Sequence, residues 1–462
     1  MSISHRGTQL KFTTLGLAEP IQQALDAINY TTMTPVQEQT IAAARRGQDL
    51  LVHAQTGTGK TAAFALPILQ KMLDNPKPSV ANSPRALVLT PTRELAEQLA
   101  EAFKRYAQFT ELSITAIYGG VKMGGQSSKL AQGTDILIAT PGRLLEHIAL
   151  NQVTLASAEF VVLDEADRML DMGFIGDVSD IMARTAKKHQ TLLYSATSSP
   201  AVNELSHKIL NNHKEIRVSQ INTAADTVRH VMYPVEESRK IDLFKLLLAE
   251  KNWFQVLVFT STKDQADKLM AALKQSKIDA AVCHGDKSQG SRRRALADFK
   301  SAKIQVLIAT EVAARGIDIQ GLDQVVNFNL PYLPEDYVHR IGRTGRAGNK
   351  GNAISFVSRE EERTVSRIEK LLGSTIKRVV KPGFEVSDRQ SLLKSIAKNG
   401  RPRRSNKTTK THISGESNKA SNVKASKAKG ANATTSKPKV SKPKASKPKS
   451  SKPKARKSKT NK

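Results

Sequence analysis

The stretch Leu50-Leu-Val-His-Ala-Gln-Thr-Gly-Thr-Gly-Lys-Thr61 joins a short apolar run to a glycine-rich turn, and a helical pattern follows it from Ala62 to Leu73. Glycines in such a turn let several backbone N–H groups face a phosphate, and the N-terminus of the next helix adds partial positive charge. We therefore predict a phosphate-binding loop, with Lys60 at the terminal phosphates and the Thr61 hydroxyl on Mg²⁺. The residues predicted to contact the nucleotide here are Ala54, Gln55, Thr56, Gly57, Thr58, Gly59, Lys60 and Thr61.

Two alternatives bear on this loop. The strict pattern begins with glycine and this chain has Ala54, so the stretch alone would also fit a Gly/Thr-rich loop without a ligand. A second motif, Asp164-Glu-Ala-Asp167, directly follows the apolar run Phe160–Leu163 and could by itself be an ordinary acidic helix cap. Open α/β sheets bind ligands at the carboxyl ends of their strands. The two motifs together therefore predict that Asp164 holds Mg²⁺ and that Glu165 orients or deprotonates the attacking water.

Short apolar runs alternate with longer helical patterns on both sides of the loop. One such series extends to about residue 210, and a second begins after a stretch without a strong period, Asn211–Thr227. This alternation predicts parallel sheets with helices on both faces, hence an α/β fold of two tandem domains. The predicted divisions are an N-terminal extension at 1–11, a first domain at 12–210, a linker at 211–227, a second domain at 228–375 and a tail at 376–462.

The basic charge is concentrated at the C-terminus. The chain carries a formal net charge of +30, and residues 401–462 hold 21 Lys and Arg against one acid, Glu416. The unit Ser-Lys-Pro-Lys recurs there at 436, 441, 446 and 451. Because so little apolar surface cannot offset the ordering entropy, we predict a largely disordered tail. The positive charge favours a polyanionic partner, either nucleic acid or an anionic membrane. The tail would act as an RNA tether or as a solubilising polycation.

Cysteine usage and apolar patterning limit the cellular setting. Cys283 is the single cysteine, so a disulfide within the chain is impossible and a reducing, cytoplasmic compartment is expected. The first residues, MSISHRGTQLKF, contain no apolar segment typical of a secretory signal. No run of 18 apolar residues occurs, so no transmembrane helix and no membrane partner are expected.

With these motifs in place, residues 10–375 resemble the DEAD-box helicases of superfamily 2, whose name is spelled at 164–167. The resemblance implies two RecA-like domains with ATP between them. It implies RNA-stimulated ATP hydrolysis that unwinds or remodels RNA duplexes or ribonucleoproteins. The motif wording is most similar to the bacterial RhlE-type subgroup. Phe12, Tyr30 and Gln37 resemble the family's Q motif, which implies adenine recognition.

The family's other motifs can be placed on this chain residue by residue. Backbone N–H groups, hydroxyls and arginines suit contact with RNA phosphates without base reading. The positions that the resemblance assigns to RNA are Pro91, Thr92, Arg93, Gly119, Gly120, Thr140, Pro141, Gly142 and Arg143 in the first domain and Thr260, Gln289, Arg292 and Thr310 in the second. Those it assigns to coupling hydrolysis with strand separation are Ser195, Thr197 and His339.

The strongest signal in the second domain is His339-Arg-Ile-Gly-Arg-Thr-Gly-Arg346. By resemblance, Arg343 and Arg346 reach the γ-phosphate across the cleft, where a planar guanidinium suits the charge on the phosphoryl oxygens. Gly316 and Asp318 are expected near the nucleotide, and Glu311 stands where the family usually has Asp.

Two rival functions share part of this pattern. One is a DNA helicase or translocase, which uses the same phosphate loop and arginines; the other is a non-catalytic RNA clamp or annealing protein that binds through its tail. The adenine motif disfavours the first, and the complete set of Lys60, Glu165, Arg343 and Arg346 disfavours the second. The expected cofactors are ATP and Mg²⁺, and the expected partner is RNA with little sequence specificity. Ribosomal or degradation-complex proteins are compatible partners.

Overall fold

Two parallel sheets of seven strands each organise the residues that the computed structural model describes, namely 10–55, 57–218, 228–314, 319, 322–345 and 351–386. The strands of the first sheet are β1 (Leu50–His53), β2 (Ala86–Leu89), β3 (Ile114–Ile117), β4 (Ile136–Ala139), β5 (Phe160–Leu163), β6 (Gln190–Ser195) and β7 (Lys214–Arg217). Those of the second are β8 (Val228–Pro234), β9 (Val256–Thr260), β10 (Ala280–Cys283), β11 (Val306–Thr310), β12 (Gln324–Asn327), β13 (Gly351–Val357) and β14 (Lys377–Arg378).

The two sheets have the same topology. Their strand orders are β3-β4-β2-β5-β6-β1-β7 and β10-β11-β9-β12-β13-β8-β14, so each strand of the second sheet occupies the place of the strand seven numbers earlier. Every pairing recorded within the sheets is parallel; for example, β1 lies between β6 and β7. The predicted fold class, two tandem α/β domains with parallel sheets, is confirmed.

Helices connect the strands and cover both faces of each sheet. In the first domain they are α1 (Glu19–Ala27), α2 (Pro35–Arg45), α3 (Lys60–Asp74), α4 (Arg93–Tyr106), α5 (Gly124–Ala131), α6 (Pro141–Ala149), α7 (Ala166–Asp171), α8 (Ile175–Met182) and α9 (Pro200–Ile209). In the second they are α10 (Lys240–Glu250), α11 (Lys263–Gln275), α12 (Gln289–Lys300), α13 (Glu311–Ala314), α14 (Pro334–Ile341) and α15 (Glu362–Leu372). Short 3₁₀ helices span Phe12–Leu15, Glu237–Arg239 and Arg359–Glu361.

The continuous apolar runs of the sequence are explained by this layering. All four residues of β5 are buried, and they alternate between two clusters: Val162 packs with Phe64 and Tyr194, while Val161 and Leu163 face the opposite side. Burying each such Val or Leu side chain contributes about 1.5–3 kcal/mol. A parallel sheet covered on both faces therefore needs apolar residues without polar alternation. Among the described residues, no helix has the length and apolar character needed to cross a membrane.

Two predicted boundaries differ from the structure. Lys214–Arg217, which the sequence placed in the linker 211–227, pairs with β1 as an edge strand. Only Ile216 of that strand is buried, so the strand has the polar composition that is typical of a linker. At the other end, β14 and the buried Phe384 extend the second domain beyond residue 375, into the predicted tail. Residues 1–9, 219–227 and 387–462, which include most of the predicted extension, linker and tail, lie outside the described residues.

Candidate active site

The phosphate loop has the local geometry that its glycines allow. Gly57 and Gly59 have φ angles of +82° and +95°, which side chains larger than hydrogen rarely adopt. The turn ends at Lys60, the first residue of α3, so the N-terminus of that helix faces the loop. Lys60 Nζ is buried, lies 3.6 Å from Asp164 Oδ1 and has no hydrogen-bond partner in the described part of the chain. A buried ammonium without a hydrogen-bond acceptor fits an anionic ligand at this point.

The two acids that follow β5 lie at the same edge of the sheet. Asp164 is buried, and its burial raises the pKa of the carboxyl to about 6, although the nearby Lys60 lowers it. Glu165 has a φ of +55° where β5 passes into α7. A left-handed conformation is uncommon for glutamate and typical of residues held for function. The acids thus come together with Lys60, as the sequence predicted from two motifs far apart in the chain.

A cavity of about 330 Å³ unites these groups. It is lined by Gly57, Gly59, Lys60, Thr61, Asp164 and Glu165 from the phosphate loop and the end of β5, and also by Tyr30 and Thr34. Arg343, from the second domain, lines the same cavity. The predicted site residues Thr56, Gly316, Asp318 and Arg346 lie outside the described residues.

One wall of the cavity was not predicted from the sequence. It is a face of α4, contributed by Leu95, Gln98, Ala102, Arg105 and Tyr106. Their spacing of three and four residues places them on one side of a helix, and they follow a motif that had been assigned only to RNA. That spacing could have predicted the wall, because a helix that begins at the carboxyl end of β2 lies next to the edge of the sheet where the nucleotide is expected.

Three other predicted loop residues shape the turn without lining the cavity. The N–H of Ala54 donates to the Ser195 carbonyl at 2.9 Å, which anchors the start of the loop to β6. The Thr58 hydroxyl donates to the Gln55 carbonyl at 2.8 Å, which closes the turn. Ala54 does not have a positive φ angle, so its backbone conformation does not require glycine.

The Q-motif residues take distinct places. Tyr30 lines the cavity, whereas Phe12 is fully buried and stacks on Tyr30 with ring centroids 5.8 Å apart. Phe12 therefore supports Tyr30 and has no direct access to a ligand. Gln37 Nε2 donates to the Gly59 carbonyl at 3.1 Å, and its Oε1 accepts from the Thr34 N–H at 2.8 Å. The glutamine thus ties α2 to the phosphate loop, a contact that the sequence did not suggest.

The second domain presents its arginines from the end of α14. Arg340 is buried, pairs with Glu311 and donates to the Asn329 carbonyl at 2.7 Å. Glu311 stands where the family usually has aspartate, and its longer side chain reaches the Arg340 guanidinium. Arg340 therefore braces the segment that leads to Arg343, which faces the cavity.

A second cavity, of about 860 Å³, lies across the carboxyl ends of strands in both domains. Among the residues predicted to bind RNA, those that line it are Pro91, Thr92, Arg93, Gly119, Thr140, Gly142, Arg143, Arg292 and Thr310. Arg93 lies so close to Gly120 that a Cβ atom there would meet Arg93 Nη1 at 1.8 Å, and Gly120 has a φ of +76°. A side chain at Gly120 would therefore displace the arginine from the cavity.

Four predicted RNA residues do not line this cavity. Gly120 accommodates Arg93, Pro141 is the first residue of α6, and the buried Thr260 hydroxyl donates to the Thr262 carbonyl at 3.3 Å. Gln289 is buried and donates to Glu94 and Glu97 at 3.2 Å each. Of the four, Gln289 joins the two domains, and direct contact with RNA stays a prediction for all of them.

The residues predicted to couple hydrolysis to strand separation surround a third cavity, of about 440 Å³. Thr197 and His339 line it together with Glu165 and Arg343. The Ser195 hydroxyl donates to the Thr197 carbonyl at 2.8 Å. Asp167 Oδ2 accepts the N–H groups of Ala196 and Thr197 at 3.0 and 2.9 Å, so the last acid of the 164–167 motif holds the Ser195–Thr197 segment. The sequence did not assign this role to Asp167.

Comparisons with known proteins agree with this arrangement. Residues 34–205 match the DEAD/DEAH box helicase family, and residues 239–348 match the helicase conserved C-terminal domain. The ATP-dependent RNA helicase RhlB of Pseudomonas aeruginosa (strain UCBPP-PA14) is 42% identical over 371 residues, which are 79% of this chain and 94% of that protein. The ATP-dependent RNA helicase DeaD of Escherichia coli (strain K12) is 39% identical over 388 residues, 84% of this chain and 61% of that protein.

Solved structures give the same result. Saccharomyces cerevisiae Dbp5 bound to RNA and ADP BeF3 has a TM-score of 0.72 at 30% identity, over 84% of this chain and 99% of that one. Mss116p bound to single-stranded RNA and AMP-PNP has a TM-score of 0.73 at 27% identity, over 84% of this chain and 83% of that one. The fold and the divided phosphate site define a helicase with two RecA-like domains. The chain belongs to the DEAD-box family of ATP-dependent RNA helicases, whose ATP hydrolysis is stimulated by RNA.

Proposed function

We propose that the first domain binds and activates ATP through Lys60, Asp164 and Glu165, and that Arg343 completes the site from the second domain. The observation that carries the proposal is that all four residues line one cavity. A guanidinium at that place suits the charge that spreads over the equatorial oxygens of the γ-phosphate in the transition state. Arg346, predicted beside Arg343, has the same proposed role.

Glu165 is the residue proposed to act on the attacking water. Its carboxylate orients the water and accepts a proton, while the bond from the water oxygen to the γ-phosphorus forms and the bond to the bridging oxygen breaks. The products are ADP and inorganic phosphate. General acid–base catalysis of this kind contributes about 10²–10⁴ in rate.

Mg²⁺ fits the oxygen ligands that Thr61 and Asp164 offer in the cavity, since this ion prefers carboxylates, hydroxyls, water and phosphate oxygens. When bound, it neutralises charge on the β- and γ-phosphate oxygens. Lys60, whose ammonium is buried without a hydrogen-bond partner among the described residues, would contact the same oxygens. Tyr30, which lines the cavity, offers a ring for the adenine, and Gln37 retains one amide hydrogen for the adenine edge after its bond to Gly59.

RNA is proposed to occupy the cavity of about 860 Å³ and to touch both domains. An RNA strand that binds both sides stabilises the arrangement in which Arg343 reaches the phosphates, which explains stimulation by RNA. Arg93 and Arg143 suit backbone contact, so little sequence dependence is expected. The strand bound there is bent or unpaired locally, as remodelling of a duplex requires.

The remaining assignments extend this proposal beyond the described residues. The net charge of +20 in residues 401–462 favours sequence-independent binding of RNA by the tail. Ribosomal or degradation-complex proteins are compatible partners, and the single cysteine supports a cytoplasmic location. The matched relatives include RhlB and DeaD, so placement in the RhlE-type subgroup stays a prediction.

The proposed assignment is tested by ATP hydrolysis in the presence of matched single strands. We expect single-stranded RNA, and not DNA of the same sequence, to stimulate the wild type, and Lys60→Ala to abolish the stimulated rate. Equal stimulation by DNA would favour the rival DNA helicase. Stimulated hydrolysis that survives Lys60→Ala would show that the phosphate cavity has been assigned to the wrong residues.

A further inference from the structure

A row of polar contacts joins helix α4 of the first domain to helix α12 of the second. Its inner member is the ion pair of Arg292 with Glu94, 2.7 Å apart and buried on both sides. Its outer member is Arg293, whose Nε donates to both carboxylate oxygens of Glu97 at 3.1 and 2.9 Å. Arg293 Nη2 donates to the same carboxylate and to the Tyr118 hydroxyl, the latter at 2.6 Å. One guanidinium of the second domain is therefore held by two side chains of the first.

We propose that Arg293 is a positioning residue for ATP hydrolysis, because its contacts with Glu97 and Tyr118 hold the second domain where Arg343 lines the phosphate cavity. The inference rests on the proposed function. Arg293 lies outside every motif that the sequence singled out, and it follows directly after the predicted RNA residue Arg292.

The position of α4 explains why this contact matters to the active site. One face of the helix lines the nucleotide cavity, with Gln98 and Arg105 at its edge. The same two residues also line a groove of about 400 Å³ whose opposite wall includes Arg293. Glu97, the neighbour of Gln98, points to the second domain. The helix is thus both a wall of the cavity and the surface against which α12 lies, so fixing α12 on α4 fixes the second domain relative to the nucleotide.

The expected size of the effect follows from exposure and geometry. The Arg293 side chain is 54% exposed and that of Glu97 is 24% exposed, so water and salt weaken their attraction. The fork of two donors on one carboxylate and the added hydroxyl make the contact better ordered than a simple surface pair. A contact that forms only when the domains meet adds its free energy to the closed state. A change of a few fold in RNA response is therefore expected, with the chemistry itself retained.

The test is a charge exchange in the full-length protein, read by RNA-stimulated ATP hydrolysis. We expect Arg293→Glu and Glu97→Arg each to raise the RNA concentration for half-stimulation about fivefold, the upper range for a partly exposed pair. ATP binding measured without RNA should stay at the wild-type value in both. The double variant, Arg293→Glu with Glu97→Arg, restores the pair in the opposite sense and should return to within about twofold of the wild type.

The matched control is Arg294→Glu, which makes the same charge change one residue further along α12. Arg294 is exposed and forms no ion pair with any described residue, so its change reports only the general effect on RNA attraction. A shift with Arg294→Glu as large as that with Arg293→Glu, or a double variant no better than the single ones, would overturn the proposal. Arg343→Ala, assayed alongside, distinguishes failure of the proposed function from failure of this inference. If Arg343→Ala keeps the wild-type stimulated rate, both the proposed function and this inference are wrong. If Arg343→Ala loses that rate but the double variant does not recover the RNA response lost in the single variants, this inference alone is wrong.

Discussion

The two domains share one strand order, yet only the first has a phosphate loop. After β1 the backbone passes through Gly57 and Gly59, both at positive φ, into α3. After β8, the equivalent strand, the chain enters the 3₁₀ helix Glu237–Arg239, with no glycine before α10 begins at Lys240. Backbone N–H groups converge on a phosphate only where the turn allows such angles. The loop, and not the sheet, therefore decides which copy of the fold holds nucleotide.

The strands at the centre of each sheet show the same difference. β5 is followed by Asp164 and Glu165, which face the cavity. β12, its equivalent, is followed by Phe328 and Asn329, and the Asn329 side chain donates to Glu237 at 3.1 Å and accepts from the Ser261 N–H at 3.3 Å. The second copy thus uses this position for internal bonds. It contributes Arg343, beyond α14, to the lining of the cavity, so both copies form its walls.

Loss of the Arg343 guanidinium should lower the rate of ATP hydrolysis more than the changes proposed at Glu165, Gln37 and the C-terminus. Arg343→Ala should lower the RNA-stimulated hydrolysis rate by about 10³-fold or more, because arginines that reach a transferring phosphoryl group contribute about 10³–10⁵ in rate. The affinity for ATP at saturating RNA should change far less, by no more than the factor with which RNA tightens ATP binding. Steady-state kinetics with saturating RNA measure both quantities. Arg294→Ala, a change at an exposed arginine of the same domain, should behave as the wild type. A wild-type rate in Arg343→Ala would show that the second domain does not supply an arginine to hydrolysis.

The first domain's contribution is tested by Glu165→Gln. The amide keeps the shape of the side chain and cannot accept the proton, so turnover should fall by about 10²–10⁴ while ATP and RNA still bind together. Single-turnover hydrolysis and a filter-binding assay for RNA with ATP present separate the two effects. The exposed Asp180→Asn on α8 makes the same chemical change away from the site. Near-normal turnover of Glu165→Gln at saturating ATP and RNA would remove glutamate from the mechanism.

A change at the proposed adenine contact should give a smaller effect. Gln37→Ala removes both the proposed adenine contact and the bond to Gly59, so affinity for any nucleotide should fall and the preference for ATP over GTP should relax by about tenfold. Competition between the two nucleotides in the ATPase assay measures the preference. Gln23→Ala, an exposed glutamine on α1, is the control. If the wild type hydrolyses GTP as well as ATP, the adenine assignment fails before the variant is made.

The smallest effect is expected from the basic C-terminus. Removal of residues 401–462 takes away a net charge of +20, so RNA binding should weaken. The slope of log affinity against log salt should become shallower by about 0.7 for each RNA phosphate that the tail neutralises in the full-length protein. The maximal rate at saturating RNA should stay the same, because none of the described site residues is removed. Binding measured over a series of salt concentrations for both proteins decides. Identical slopes would mean that this segment does not touch RNA.

Much of the fold was readable from the sequence, and the reasons are physical. Strands buried on both faces leave continuous apolar runs, and β1 and β5 were found from such runs. The phosphate loop was readable because its chemistry needs particular residues in a fixed order. β7 was missed because an edge strand needs one buried residue, Ile216, and tolerates charge elsewhere.

Contacts between distant segments were the part that the sequence could not supply. The bond from Gln37 to Gly59, the pairing of Arg340 with Glu311 and that of Arg293 with Glu97 each join positions whose distance depends on the packed domains. No local pattern encodes such pairs. The cavity wall on α4 was visible only as a helical spacing, which a plain core-facing helix shares.

Completion of one ATP site by an arginine from the second domain, only when RNA holds the domains together, couples the binding of RNA to the binding of ATP. The most direct measurement is the coupling between RNA and a non-hydrolysable ATP analogue, determined as the affinity of each with and without the other. We predict that each ligand tightens the other by the same factor in the wild type. In Arg343→Ala that factor should fall towards one, while the affinity for each ligand alone is retained. Undiminished coupling in Arg343→Ala would contradict the claim.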